Sequence, residues 1–344
     1  MTRPPIPPRK SPTETPDNRP EVEDIAKRIL AGDRRALSRA ITMIESENLH
    51  HRDGAQALLN LLLPHTGKSV RLGITGVPGV GKSTFIELFG QHVINQGSRV
   101  AVLAIDPSSP KTGGSILGDK TRMETLARHP QAYIRPSPSR GMLGGIARKT
   151  YDTLLLCEAA GFDVIFVETV GVGQSETTVA NLVDVFMLLL APAGGDDLQG
   201  IKRGIMELAD VLVVNKSDGD LVAAAERVRR DTATALHILR PRDNAWAPPV
   251  LSCSAMTGIG ITEVWQAVQN YLQTLDHGGS LTSRRGQQAR SLMELEIVEA
   301  LLTDIQGDGI MGEQWRNLES DVIEGHCAPS EAARRLLAGY RRSC

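Results

Sequence analysis

Gly76-Val77-Pro78-Gly79-Val80-Gly81-Lys82-Ser83 is a complete G-x-x-x-x-G-K-[ST] run. A polyphosphate needs several donors aimed at one point, and this run can supply them. Its glycines let backbone N–H groups wrap closely around phosphate oxygens, where a Cβ would intrude. Lys82 is placed to reach the β- and γ-phosphates of a nucleoside triphosphate, and the Ser83 hydroxyl to bind Mg²⁺. The flanks decide against a chance glycine turn. Ser69 to Thr75 reads as a strand, and Thr84 to Phe89 reads as the first turns of a helix. That helix adds free N–H groups and the positive end of its dipole.

A second run selects the base. The apolar stretch Val211 to Val214 reads as a buried strand and ends in Asn215-Lys216-Ser217-Asp218, an N-K-x-D pattern. Guanine presents N1–H beside an exocyclic amine, and an ionised carboxylate such as Asp218 can accept both. Adenine would leave that carboxylate poorly paired. Asn215 would brace the neighbouring loops, and the Lys216 stem would pack on the base. Val250-Leu251-Ser252 reads as another strand, followed by Cys253-Ser254-Ala255-Met256. A Ser254-Ala255-Met256 loop there would place backbone N–H near guanine O6. The expected ligand is therefore GTP or GDP rather than ATP.

Two acids stand at strand ends in the chain order that a metal-dependent phosphate site requires. Val100 to Ile105 ends at Asp106, and Asp163 to Val167 ends at Glu168. Either can hold Mg²⁺ directly or through water. Gly171 suits a loop that must approach a γ-phosphate closely. Between the two strands lies Pro107 to Met123, rich in Ser, Thr and Gly, with Lys111, Asp119, Lys120 and Arg122. Such a long loop is a candidate switch, ordering around a γ-phosphate and relaxing after its loss. Pro192 to Lys202 is another candidate.

Several of these segments together resemble one family. They are Gly76 to Ser83, Asp106-Pro107-Ser108-Ser109, Thr112 to Met123, Glu168-Thr169-Val170-Gly171-Val172-Gly173-Gln174-Ser175-Glu176, Gly195 to Gly200 and Asn215 to Asp218. The chain looks like the MeaB/ArgK type of G-protein chaperone, which serves adenosylcobalamin-dependent acyl-CoA mutases such as methylmalonyl-CoA mutase. The resemblance runs from about Asp33 into the last third of the chain. It implies a P-loop GTPase of slow intrinsic turnover that gates cofactor delivery and protects or reactivates the loaded mutase. It implies phosphate contacts from Gly76 to Thr84, and Mg²⁺ held by Ser83 with Asp106 and Asp119 nearby. Glu168 would be the acid near the attacking water, acting directly or through another group. Asp218 and Ser254 to Met256 would serve guanine, and Asp196 to Lys202 would be a third switch facing the mutase. The implied partners are the mutase, its adenosyltransferase and a second copy of the chain. No arginine finger is assigned; Lys120 and Arg122 are the candidates. In two places the chain departs from the family: the proline-rich N-terminus has no counterpart there, and the arm differs. Members carry tryptophans after an Arg-Arg-x-x-Gln start of the C-terminal arm, whereas Arg284-Arg285-Gly286-Gln287-Gln288 here leads into Arg290-Ser291-Leu292-Met293.

The elements that must position these residues follow from length and pattern. A chain of 344 residues holds one large α/β domain with helical extensions. The expected architecture is a P-loop NTPase, with a mostly parallel sheet flanked by helices. The expected division is a disordered Pro-rich tail over 1–20, an N-terminal helical extension over 21–65, the P-loop domain over 66–278 and a helical dimerisation arm over 279–344. Val22, Ile25 and Ile29 recur at helical spacing, as do Leu37, Ile41 and Ile44, with Asp33 as an N-cap between them. Leu292, Leu295, Val298 and Leu302 make an apolar stripe in the arm, and Pro329 opens a last short helix. A net charge of −2 and aromatics of 3% argue against nucleic-acid binding. No apolar run reaches membrane-spanning length and no signal peptide opens the chain, so a cytoplasmic protein is expected. Cys157, Cys253, Cys327 and Cys344 form no metal-ligand spacing. His50-His51 reads as a solvated pair. Three rival classes stay open: a metal-insertion GTPase, a P-loop kinase acting on a small molecule or a transport protein, and a nucleotide-dependent interaction protein with negligible catalysis.

Overall fold

The computed structural model describes residues 19–46, 48–106, 123–138, 143–169, 175–192, 203–239, 246–276, 279–307 and 309–343. Three helices lead: α1 (Arg19–Leu30), α2 (Arg34–Glu45) and α3 (Leu49–Leu62). Asp33 caps α2, its carboxylate accepting from the backbone N–H of Arg35 and Ala36. Strands and helices then alternate through β1 (Val70–Gly76), α4 (Lys82–Asn95), β2 (Val100–Asp106), α5 (Glu124–Arg128), β3 (Ala132–Pro138) and α6 (Leu143–Ala159). They continue as β4 (Val164–Thr169), α7 (Ser175–Ala180), β5 (Val185–Leu190), α8 (Arg203–Leu208), β6 (Val211–Val214), α9 (Val222–Leu239), β7 (Val250–Ser252) and α10 (Ile261–Asp276). Three helices close the chain: α11 (Ser280–Gln306), α12 (Ile310–Ile323) and α13 (Pro329–Ser343). Among the described residues no helix is long and apolar enough to cross a membrane.

The seven strands form one parallel sheet in the order β3-β2-β4-β1-β5-β6-β7. Parallel strands covered on both faces read as continuous apolar runs, and β4, β5 and β6 are buried at every residue. One apolar layer packs α4, α5 and α10 on the sheet. In it Phe89 lies between Phe85 and Phe166, with ring centroids 5.0 and 5.5 Å away, and Trp265 meets it edge-on at 5.9 Å. The other layer holds α6 to α9 and the three leading helices, around Leu37, Ile41, Phe162 and Phe186. The strand order turns back at β1, which lies between β4 and β5. The crevice beyond the carboxyl end of such a strand is where open α/β sheets bind ligands.

Two expectations for the arm need correction. The last helix is not short, since α13 runs for 15 residues. The apolar stripe is also rotated from its expected face. Leu292 and Leu302 are half-buried and Ile305 is buried, but Leu295 and Val298 are exposed. Polar contacts set that rotation. Glu296 accepts from Arg148 of α6 at 2.6 Å and from Arg52 of α3 at 3.5 Å. Glu299 faces Gly145 of the same α6.

The start of α11 is fastened to the amino edge of the sheet. Arg285 grips Asp184 with both ends of its fork, at 2.8 and 2.6 Å, and donates to the carbonyls of Gly67 and Ser69. Arg284 donates to the Tyr271 hydroxyl at 2.7 Å and pairs with Asp210 at 3.5 Å. Asp184 and Asp210 precede β5 and β6, and each also accepts a strand N–H, from Arg71 and Phe186 respectively.

Candidate functional site

The phosphate-loop residues sit at the carboxyl end of β1, at the turning point of the sheet. Two glycines there have no substitute. Gly76 has φ 155°, and a Cβ on it would stand 2.6 Å from the Leu189 carbonyl oxygen. Gly81 has φ 92°, and its Cβ would meet the Asn215 side-chain nitrogen at 2.9 Å. α4 begins at Lys82, so its first N–H groups open toward the loop.

Lys82 curls over this loop. Its ammonium donates to the carbonyls of Gly76 at 2.7 Å and Val77 at 3.3 Å. Burial pushes its pKa down from the ordinary lysine value, and the charges of Glu168 and then Glu176 oppose that push. The Ser83 hydroxyl donates to Glu168 Oε1 at 3.3 Å, so a hydroxyl and a carboxylate converge beside the loop. Hard oxygen donors of this kind suit Mg²⁺. Beneath them the Thr169 hydroxyl donates to the Thr75 hydroxyl at 2.7 Å, tying β4 to β1.

Asn215 joins the two halves of the site. It is 1% exposed. Its Nδ2 donates to the Val80 carbonyl at 2.9 Å, and its Oδ1 accepts from the Ala255 N–H at 3.1 Å. One side chain thereby couples the phosphate loop, the end of β6 and the loop after β7. Leaving such buried groups unpaired would cost about 1–3 kcal/mol. Lys216 makes a second tie, its ammonium donating to the Gly79 carbonyl at 2.7 Å. It sits at φ 60°, alone in this among the described non-glycine residues. Asp218 is half-buried at the mouth of the same loop, and Met256 is exposed. The Ser254 hydroxyl accepts from the N–H groups of Met256 and Thr257 at 3.2 and 3.1 Å, which fixes the turn after β7.

The structure thus brings Gly76 to Thr84, Glu168, Asn215 to Asp218 and Ser254 to Met256 to one edge of the sheet. Asp106 ends β2 at that edge as backbone. Asp119, Lys111, Lys120, Arg122, Gly171 and the segment Asp196 to Lys202 lie outside the described residues. One residue was missed by role, although it lies in a quoted motif. Glu176 is buried in the first turn of α7. An acid in a first helical turn is so ordinary that nothing in the sequence marked it.

Residues 37–309 match the family described as methylmalonyl Co-A mutase-associated GTPase MeaB. The chain belongs to the MeaB family. A "Putative GTPase" of Caulobacter vibrioides is 51% identical over 320 residues, covering 93% of this chain and 98% of that one. GTPase ArgK of Escherichia coli is 45% identical over 319 residues, 93% and 96% of the two chains. The mitochondrial methylmalonic aciduria type A homolog of Mus musculus is 46% identical over 323 residues, 91% and 78% of the two chains. Among solved structures, one described as LAO/AO transport system kinase superposes with a TM-score of 0.75 at 37% identity, covering 95% of this chain and all of that one. The P-loop α/β architecture of this MeaB-family chain is thus shared at useful identity.

Proposed function

We propose that this MeaB-family chain hydrolyses GTP to GDP and phosphate, and that the cycle serves an adenosylcobalamin-dependent acyl-CoA mutase as a chaperone. One observation carries the first part. The phosphate loop and the N-K-x-D turn are cross-braced by Asn215, so a single ligand bearing both a triphosphate and a guanine fits the edge. The names of the family and of the mammalian relative support the second part.

The residues divide the work by chemistry. Lys82 exchanges the Gly76 and Val77 carbonyls for phosphate oxygens, moving its charge by a short swing rather than creating it anew. The backbone from Gly76 to Thr84 cradles the phosphates. Asp218 accepts from guanine, the Lys216 stem lies along the base, and Ser254 to Met256 close over its carbonyl edge. Mg²⁺, held by Ser83 and Glu168 with Asp106 and Asp119, would supply positive charge against that developing on the β–γ bridge. Glu168 orients the attacking water, directly or through another group. Loss of the γ-phosphate releases the switch segments, and the mutase reads the difference, which gates cofactor delivery and protects or reactivates the enzyme. The adenosyltransferase that loads the mutase is a further partner. The exposed Met293, Ile297 and Leu301 recur on α11 at four-residue spacing and support a homodimer through the arm. The working compartment is the cytoplasm.

Calorimetry with GTP, GDP and ATP, followed by turnover with and without a cobalamin-loaded acyl-CoA mutase, tests both parts. Guanine selectivity and a turnover raised by the mutase are expected. Equal affinity for ATP would overturn the nucleotide assignment. A mutase that neither binds nor changes turnover would overturn the chaperone role. Labelled phosphate arriving on an acceptor instead of in solution would mark a kinase, as the name of the solved relative suggests.

A further inference from the structure

Glu176 has no task in the reading above, yet its situation demands one. The residue is 4% exposed. Its Oε2 is buried with no hydrogen-bond partner among the described residues. A bare buried carboxylate oxygen is costly, and where one persists something is expected to bind it.

Its place in the fold narrows what that is. α7 follows the carboxyl end of β4 and packs on β1, β4 and β5. Val179 of α7 lies over Gly73 of β1, where a Cβ would stand 3.1 Å from Val179 Cγ1. Glu176 comes three residues earlier, about 4.5 Å closer to the carboxyl edge along the helix. A strand covers that distance in between one and two residues, at roughly 3.3 Å each. Glu176 therefore stands level with Ile74 and Thr75, just before Gly76, whose carbonyl Lys82 grips. The electrostatic pull of Glu176 on the Lys82 ammonium agrees with that placement. α4 covers the opposite face of the sheet. The carboxylate thus approaches the phosphate loop from the face that α4 leaves open. Glu168 has a separate commitment, since its Oε1 accepts from Ser83.

We propose that Glu176 is a second catalytic carboxylate, whose Oε2 accepts a hydrogen bond from the water that attacks the γ-phosphorus. The inference rests on the GTP-hydrolase reading and names the group through which Glu168 need not act alone. The water oxygen forms a bond to the γ-phosphorus. The bond from that phosphorus to the bridging oxygen breaks, and its electron pair leaves with GDP. The water proton passes to Glu176, which returns it to the released phosphate.

The test compares the full-length wild type with Glu176→Gln, Glu176→Asp and Glu168→Gln in single-turnover hydrolysis, GTP binding and Mg²⁺ titration. Glu176→Gln keeps the shape of the side chain and removes its basicity. Its hydrolysis rate should fall by about 100-fold or more. Its GTP affinity and Mg²⁺ requirement should stay within about twofold of wild type. Glu168→Gln should instead raise the Mg²⁺ requirement, and Glu176→Asp should recover part of the rate. Binding of aluminium fluoride to the GDP complex supplies a readout apart from turnover. It should weaken in Glu176→Gln while GDP itself binds normally. A Glu176→Gln rate within threefold of wild type would overturn the proposal, and so would a Mg²⁺ defect equal to that of Glu168→Gln. If Glu176→Gln does not fold, Glu176→Asp decides. A reduced rate with normal GDP binding supports the proposal, and a wild-type rate overturns it. A wild type that does not hydrolyse GTP would sink the parent reading instead.

Discussion

The two edges of the sheet carry similar residue types in opposite states. At the amino edge, charges close on each other. Both oxygens of Asp184 hold Arg285 and one also accepts the Arg71 N–H, while Glu158 holds the Arg71 guanidinium at 2.7 Å with one oxygen and accepts the Gly67 N–H with the other. At the carboxyl edge, among the described residues, Lys82 and Lys216 hold backbone carbonyls. A carbonyl carries no net charge, so a phosphate outbids it easily for an ammonium. The first edge is built to keep its partners and the second to exchange them. The fold fixes the arm where nothing needs to move and leaves cations loosely engaged where a polyanion must arrive.

The comparison breaks first, and most severely, at Lys82. Lys82→Ala removes the phosphate-loop ammonium that can follow charge onto the β–γ bridge. Hydrolysis should fall by about 1000-fold. Folding should survive, because the variant frees two carbonyls at a partly solvated loop and leaves no buried charge alone. Thermal unfolding beside single-turnover kinetics checks both halves. A Lys82→Ala protein that unfolds as readily as an Arg285 variant would mean that the carboxyl edge is no more exchangeable than the amino edge.

Arg285→Ala makes the complementary break. It strands the Asp184 carboxylate, which is fully buried, and frees the carbonyls of Gly67 and Ser69. Removing one partner of a buried pair costs about 3–5 kcal/mol. Chemical denaturation should show that loss, with GTP affinity per folded molecule nearly unchanged. A double variant, Arg285→Met with Asp184→Leu, should recover much of the stability, since no charge is then left buried alone.

These two edges were not equally legible in the sequence. The carboxyl edge was, because its residues are contiguous runs with a local mechanism. Gly76 to Ser83 and Asn215 to Asp218 each name their neighbours by spacing, and Asp33 declared its cap in the same way. The parallel strands were legible as unbroken apolar runs. The amino-edge latch was not. Arg285 finds Asp184 at a sequence separation of 101, and Arg284 finds Asp210 at 74. No local pattern encodes a pair made only after the sheet has assembled, so Arg284-Arg285 read only as the start of a family arm. The orientation of α11 was lost for the same reason. Leu295 and Val298 share helical spacing with Leu292, but Glu296 turns the helix toward Arg148. Glu176 was hidden differently, by being an unexceptional residue in an unexceptional place.

The smallest predicted effect sharpens the comparison, because it falls where the arm side is not fully closed. Asp152 of α6 lies among Arg148 on its own helix and Glu296 on α11, with Arg52 of α3 reaching the same Glu296. Burial pushes its carboxyl pKa up to about 7, Arg148 pulls it down, and Glu296 pushes it further up. A carboxyl raised on folding binds its proton more tightly in the native state than in the unfolded one. Its favourable effect is therefore complete below the unfolded value of about 3.9 and declines as pH rises toward the folded value. Wild-type stability should drop relative to Asp152→Asn between those limits, by at most about 1.4 kcal/mol per pH unit, and run parallel to it above them. Denaturation midpoints taken across that range for both proteins decide the matter. Parallel curves throughout would mean that Asp152 is paired as tightly as Asp184, and that the arm is closed along its whole length.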